Sequence, residues 1–387
     1  MANKHNEYNE LTSWDDLECD INLLRGVYAY GFETPSTIQK KAIKPLLDGR
    51  DIIAQAQSGT GKTGAFTIGT LGQINIQENT TQALILSPTR ELSKQIYNVL
   101  SELSRMMTGI RISLLVGGTV IESDINDLKK HPHIVVGCPG RINDMIRRRK
   151  LQTKTVRITV LDEADEMLSK GFKEQIYSIF HSLDEKNVQI ALFSATLSQD
   201  LHVLSQKLLR NPEKILVKAE ALTLEGIIQR YVLLENESQK YEALKRLYSN
   251  FSSSQCIIYC NNVRSVSQLN RAMNEDGFPV CCLHSDQTQE ERTRFYNDFK
   301  SGSYRVLIST NITARGIDIQ QVSTVINYDI PKDEHTYLHR IGRSGRWGRK
   351  GVGVNFITQR EVKRLRYIEQ YYKTEITELN EDDIKLI

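Results

Sequence analysis

Short β-branched and apolar runs alternate with stretches of helical period along most of the chain. Residues 51–55, 83–86, 111–116, 134–137, 157–161 and 189–193 read as buried strands. Amphipathic helical stretches follow them, so the order is βαβα and the sheet it implies is parallel. Ahead of the first strand, Trp14, Leu17, Ile21, Leu24, Val27 and Tyr28 fall near helical spacing, and Pro35-Ser36 reads as the turn into a second helix. The rhythm restarts after residue 226, with strands expected at 230–234, 255–260, 280–283, 304–309, 324–328 and 352–357. Residues 1–13 are polar and without period, which predicts a flexible tail. The resulting division is a first domain over 14–217, a linker over 218–226 and a second domain over 227–387.

Composition changes this picture little. At 387 residues the chain is longer than one hydrophobic core usually serves. Its 40% hydrophobic and 25% charged content describes an ordinary globular protein. Net charge is only +3, so a nucleic-acid partner must be held by a local surface and not by overall charge. The six cysteines include the adjacent pair Cys281 and Cys282 and show no C-x-x-C spacing, which points to reduced thiols. No leader, lipidation motif or long apolar run is visible, so the expected protein is intracellular and makes no use of a membrane.

Candidate chemistry sits where strands end. Ala56-Gln57-Ser58-Gly59-Thr60-Gly61-Lys62-Thr63 joins a strand to a helix and reads as a phosphate-binding loop, with Ala56 where a first Gly usually stands. Its glycines let backbone N–H groups surround phosphate oxygens, Lys62 adds a point charge, and the Thr63 hydroxyl suits Mg²⁺. After the fifth strand, Asp162, Glu163, Asp165 and Glu166 crowd together. Carboxylates so placed call for a cation such as hydrated Mg²⁺, although an acidic first turn of a helix would look the same taken alone. The two elements together are those of a phosphate-loop NTPase. Ser194-Ala195-Thr196 ends the next strand, as a γ-phosphate sensor or a helix cap. Thr89-Arg90, Gly117-Gly118 and Gly140-Arg141 end other strands with groups suited to sugar-phosphate, though each singly is ordinary turn chemistry. In the second half, Arg340, Arg343, Arg346 and Arg349 recur every three residues among glycines, a spacing that brings guanidinium groups to one edge for phosphate or RNA.

Taken in order, Gln39, the phosphate loop, Pro88-Thr89-Arg90-Glu91-Leu92, Gly117-Gly118, Pro139-Gly140-Arg141, Asp162-Glu163-Ala164-Asp165 and Ser194-Ala195-Thr196 resemble the first domain of a DEAD-box RNA helicase. His339-Arg340-Ile341-Gly342-Arg343 extends the resemblance to the second domain, and it covers the chain from about Trp14 onward. It implies α/β architecture with two tandem RecA-like domains, each a parallel sheet with helices on both faces. It also implies ATP and Mg²⁺ as cofactors and RNA-stimulated hydrolysis. Gln39 would read the adenine edge and Phe32 would stack near the base. Ala56, Gln57, Ser58, Gly59, Thr60, Gly61, Lys62 and Thr63 would hold the phosphates, with Thr63 and Asp162 on Mg²⁺. Glu163 would be the general base, Asp318 would meet the ribose, and Arg343 and Arg346 would act as arginine fingers. Asp165, Ser194, Thr196 and His339 would couple nucleotide state to domain closure. RNA would be held without regard to sequence by Thr89, Arg90, Gly118, Arg141 and Thr310.

Within the family the chain is similar to the initiation-factor-4A group, and several stretches resemble its nuclear member slightly more. The resemblance therefore implies a nuclear or nucleolar site ahead of a cytoplasmic one, with work in translation initiation or in pre-mRNA or pre-rRNA processing. It implies a monomer served by a stimulatory protein partner. Three departures stand out: Trp14 for Phe, still offering an aromatic face; Cys138 for Thr, expected to weaken an RNA contact; and Asn311 for Asp, expected to loosen contact between the domains. An ATP-gated RNA clamp within a larger complex needs the same motifs and is the alternative reading.

Overall fold

The computed structural model describes residues 10–56, 60–169, 171–196, 198–216, 227–248, 255–313, 322–344 and 351–379. Gln57, Ser58, Gly59, Asp318, Arg346 and the expected linker lie outside them. The chain divides into two compact units, residues 1–219 and 220–387.

The first unit holds a seven-stranded sheet of β1 (Ile52–Gln55), β2 (Ala83–Leu86), β3 (Ile112–Leu115), β4 (Ile134–Gly137), β5 (Ile158–Leu161), β6 (Gln189–Ser194) and β7 (Glu213–Leu216). Their spatial order is β3-β4-β2-β5-β6-β1-β7, with the paired strands parallel. Alternate residues of one strand face opposite ways, and the cores divide accordingly. Ala83, Ile85, Ile134 and Val136 join one apolar cluster, and Leu84, Leu86 and Val135 join another. A sheet covered on both faces explains why β2, β4 and β5 are buried at every position.

The second unit repeats the plan with β8 (Ile227–Leu234), β9 (Gln255–Tyr259), β10 (Val280–Leu283), β11 (Val306–Ser309), β12 (Val322–Asn327), β13 (Gly351–Thr358) and β14 (Thr377–Glu378). Their order is β10-β11-β9-β12-β13-β8-β14, again parallel. Cys256 and Ile258 pack on one face and Ile257 and Tyr259 on the other. Both units therefore have the RecA-like plan expected from the sequence.

Three local expectations need correction. Leu11, inside the stretch expected to be a flexible tail, is 4% exposed, and its N–H donates to Lys40 O at 3.1 Å. The helical pattern from Trp14 is broken in two: a 3₁₀ turn at Trp14–Asp16, capped by Ser13, precedes the helix Ile21–Ala29, capped by Asp20. Capping side chains that satisfy the free N–H groups stop one element and start the next. Strands β7 and β14 were not anticipated. β7 is short and only one of its four residues is buried, so it carries no strong apolar run. No helix among the described residues is long and apolar enough to cross a membrane.

Candidate active site

Strands β5, β6 and β1 are neighbours, about 4.8 Å apart from one to the next. The chemistry-bearing segments that follow them therefore leave one sheet edge side by side. In open parallel sheets that carboxyl edge is where ligands bind.

After β1, Ala56 donates its N–H to Ser194 O at 3.0 Å and buries its side chain in the core. It anchors the loop, and neither its N–H nor its methyl is left to meet phosphate. Gly61, at φ 102°, precedes the buried helix Lys62–Leu71. Only glycine takes that backbone without strain, and a Cβ there would sit 2.6 Å from Ser36 Oγ. Thr60 and Thr63 are half-buried at the amino end of this helix, where the unpaired N–H groups and the helix dipole favour an anion.

Lys62 Nζ donates to Glu163 Oε1 at 3.2 Å, with both side chains buried. Burial works against the ammonium, yet Glu163, Asp162 and Asp165 outweigh it and hold the Lys62 pKa above its ordinary value. Asp162 is 2% exposed. Burial pushes its carboxyl up to about 7 against the pull of Lys62, and Glu163 and Asp165 add to the rise. Glu163 stands in the left-handed region at φ 50°, a strain of about 1–3 kcal/mol. Its Oε2 is buried with no hydrogen-bond partner among the described residues. One ammonium thus faces several carboxylates in a buried site. That excess of negative charge fits a divalent cation. Among the described residues no three His, Cys, Asp or Glu side chains converge as a ligand set. Mg²⁺ suits such a site, because it takes one or two carboxylates and fills its shell with water and substrate phosphates.

Thr196 Oγ1 donates to Asp165 Oδ2 at 2.6 Å, and Ser194 Oγ donates to Thr196 O at 2.7 Å. The segments after β5 and β6 are thereby hydrogen-bonded to each other. Gln39 approaches from the helix Thr37–Leu47. Its Oε1 accepts the Ser36 N–H at 2.8 Å, closing a capping box, and its Nε2 donates to Gly61 O at 3.3 Å. A Cβ on Gly64 would lie 2.5 Å from that Nε2 and 3.0 Å from Phe32 Cζ, so glycine at 64 lets both side chains reach the phosphate-loop helix. Phe32 stacks on Trp14 with centroids 5.8 Å apart. Trp14 is 1% exposed, so it backs Phe32 and offers no face of its own.

The expected RNA contacts of the first unit follow β2, β3 and β4. Thr89 caps the helix Arg90–Leu103. Arg90 lies against Gly117 and Gly118, and the latter, at φ 85°, has no room for a Cβ beside the Arg90 guanidinium. Arg141 forms a salt bridge with Asp124 and donates through Nη2 to Thr119 O at 3.1 Å. Its charge is already paired, so binding a phosphate means exchanging Asp124. Cys138 Sγ sits 3.5 Å from Ser93 Oγ. Sequence reasoning missed Asp124, Thr119, Ser36 and Gly64. Only Ser36 carried a signal, the Ser-x-x-Gln spacing of a capping box.

In the second unit Thr310 follows β11 half-buried, and His339 and Arg343 are buried on and just after the helix Glu334–Ile341. Arg343 Nε donates to His339 O at 3.4 Å. Arg340 does not join an arginine edge. It is fully buried over Tyr259 and donates to Asn311 Oδ1 at 2.8 Å, Asn327 Oδ1 at 3.1 Å, Asn261 Oδ1 at 2.8 Å and Asp329 O at 2.7 Å. Burial pulls its pKa down to about 10, against Tyr259, Cys260 and Asp329. Asn311 thus has a task inside its own unit, holding Arg340.

A helix start shaped for phosphate, buried carboxylates beside it and a second RecA-like sheet downstream define a two-domain nucleotide-driven helicase. Residues 36–204 match the DEAD/DEAH box helicase family, and residues 239–348 match the helicase conserved C-terminal domain. The ATP-dependent RNA helicase eIF4A of Candida albicans is 50% identical over 374 residues, covering 97% of this chain and 94% of the relative. Saccharomyces cerevisiae Dbp5 bound to RNA and ADP BeF3 superposes with a TM-score of 0.88 at 35% identity, covering 96% of this chain and 97% of that one. A point variant of the same Dbp5, bound to a variant of Gle1 and to IP6, gives a TM-score of 0.79 at 34% identity, covering 98% of each chain. The chain belongs to the DEAD-box RNA helicases. Within them it is an ATP-dependent RNA helicase of the eIF4A type.

Proposed function

We propose that ATP is hydrolysed at the edge where β1, β5 and β6 meet, and that the energy remodels RNA bound without regard to sequence. The observation that carries this reading is the buried 3.2 Å pairing of Lys62 with Glu163 beside Asp162. Lys62 takes the phosphates when ATP binds, which frees Glu163 to orient and deprotonate the attacking water. Thr63 and Asp162 hold Mg²⁺, which when bound neutralises phosphate charge. Gln39 and Phe32 meet the adenine, and Asp318 the ribose. In the working state Arg343 and Arg346 reach the γ-phosphate as arginine fingers, a contribution of about 10³–10⁵ in rate. The Thr196–Asp165 hydrogen bond, with Ser194 and His339, relays nucleotide state. RNA contacts from Thr89, Arg90, Gly118, Arg141 and Thr310 go mainly to phosphates and 2′-hydroxyls, so they specify little sequence.

Translation initiation is the process this reading favours, because relatives about half identical to the chain carry the initiation-factor name. That places it ahead of the nuclear RNA processing, and of the nuclear or nucleolar location, that the finer sequence match suggested. The chain acts as a monomer with a stimulatory protein partner; the similarity to Dbp5 bound to Gle1 supports the protein partner alone. The test is strand separation of a short RNA duplex, with and without ATP, by wild type and Lys62→Ala. ATP-dependent separation lost in the variant supports the proposal. Long-lived RNA binding without separation would turn the reading to a clamp.

A further inference from the structure

A groove of about 540 Å³ opens in the second unit between the start of the helix Glu334–Ile341 and the first turns of the helix Val362–Tyr372. It is lined by Lys332, Arg360, Lys363 and Arg364, all exposed and none with a side-chain hydrogen bond or ion pair among the described residues. The groove's carboxylates are accounted for. Asp333 caps its helix through the Thr336 N–H and hydroxyl, Glu361 accepts from the Thr358 N–H and hydroxyl, and Glu334 opens the first turn. All three sit where a helix dipole compensates negative charge. The cations have no such support. Lys363 and Arg364 stand in the first turn of their helix, where the dipole opposes positive charge. Nothing in the fold explains that placement, and an anionic ligand does.

We infer that this groove binds single-stranded RNA flanking the segment held at Thr310, an inference that rests on the RNA helicase reading above. Tyr367, 52% exposed, lines the groove, and Tyr371 stands one turn on with ring centroids 6.1 Å apart. Exposed rings beside unpaired cations are the pattern by which proteins hold single strands, bases stacking while phosphates pair. The position also fits. Thr310 follows β11, Lys332 follows β12 and Arg360 follows β13, all on one sheet edge. The order β11-β9-β12-β13 puts the ends of that path about 14 Å apart.

The test compares the full chain with the variant Arg360→Gln/Lys363→Gln/Arg364→Gln and with Tyr367→Ala. Each binds a short oligouridylate, just long enough to stimulate ATP turnover, and a much longer one, across a salt series. Loss of three phosphate contacts weakens long-RNA binding about tenfold or more and makes the salt slope shallower by about 2. Tyr367→Ala also weakens long-RNA binding, while short-RNA affinity and the turnover it stimulates stay at wild-type values. Long-RNA affinity and salt slope unchanged in the triple variant would overturn the inference and point to an acidic protein segment as the occupant. A short RNA that fails to stimulate wild type would instead sink the helicase reading on which the inference rests.

Discussion

Replacing Asp162 by Asn is expected to abolish turnover and yet to stabilise the first unit. Asp162 is 2% exposed, and its carboxyl is raised from 3.8 to about 7. The folded protein therefore holds this proton more tightly than the unfolded chain, and folding loses stability as pH climbs between those two values. At about 1.4 kcal/mol per pKa step the loss above pH 7 is at most about 4 kcal/mol. The pull of Lys62 is already inside that shift, but Asn buries an amide NH2 that needs an acceptor of its own, which takes back part of the gain and leaves roughly 2 kcal/mol. For a unit of this size that raises the melting temperature by about 4–8 °C. The assay is thermal unfolding of wild type and Asp162→Asn without nucleotide, at about pH 7.5 and about pH 5. The stabilisation should shrink at the lower pH, where the wild-type carboxyl is already protonated in the folded state. A variant that melts at or below wild type at both pH values would refute the argument, because the buried charge would then cost the fold nothing.

Three further outcomes are expected. Gln39→Ala removes a capping box and the tie to Gly61; it should cost about 1 kcal/mol in unfolding and raise the KM for ATP with RNA affinity unchanged. Gly118→Ala strains a backbone at φ 85° and displaces Arg90, so half-saturation by RNA should rise while RNA-free turnover stays the same. Arg340→Met strands the side-chain oxygens of three asparagines and a main-chain carbonyl, and denaturant unfolding of the second unit should lose roughly 3–5 kcal/mol.

The strand–turn–helix grammar made Lys62, Thr63 and the Asp162 stretch legible, because each follows a short apolar run that can only be a strand. What the sequence could not show is that these segments share one edge. That depends on the order β5-β6-β1, in which Ile52 of β1 pairs with Ala191 of β6, more than a hundred positions away. The same limit explains Arg340. Its three-residue spacing from Arg343 suggests one face, but whether a guanidinium points out or into a cage of Asn261, Asn311 and Asn327 is decided by strands far away in sequence. The place of Gln39 before the phosphate loop marks it for the nucleotide, and its spacing from Ser36 already holds its second task. The groove at Lys332 and Arg360 left no local trace, since its cations come from two separate strand ends and read singly as solvated charge.

The measurement that bears most directly on the account is ATP turnover by the purified chain and by Glu163→Gln, with no nucleic acid, with single-stranded RNA and with DNA of matched sequence. The account predicts strong stimulation of wild type by RNA, little by DNA, and none in the variant, which should still bind ATP. Equal stimulation by DNA, or turnover that survives Glu163→Gln, would contradict it.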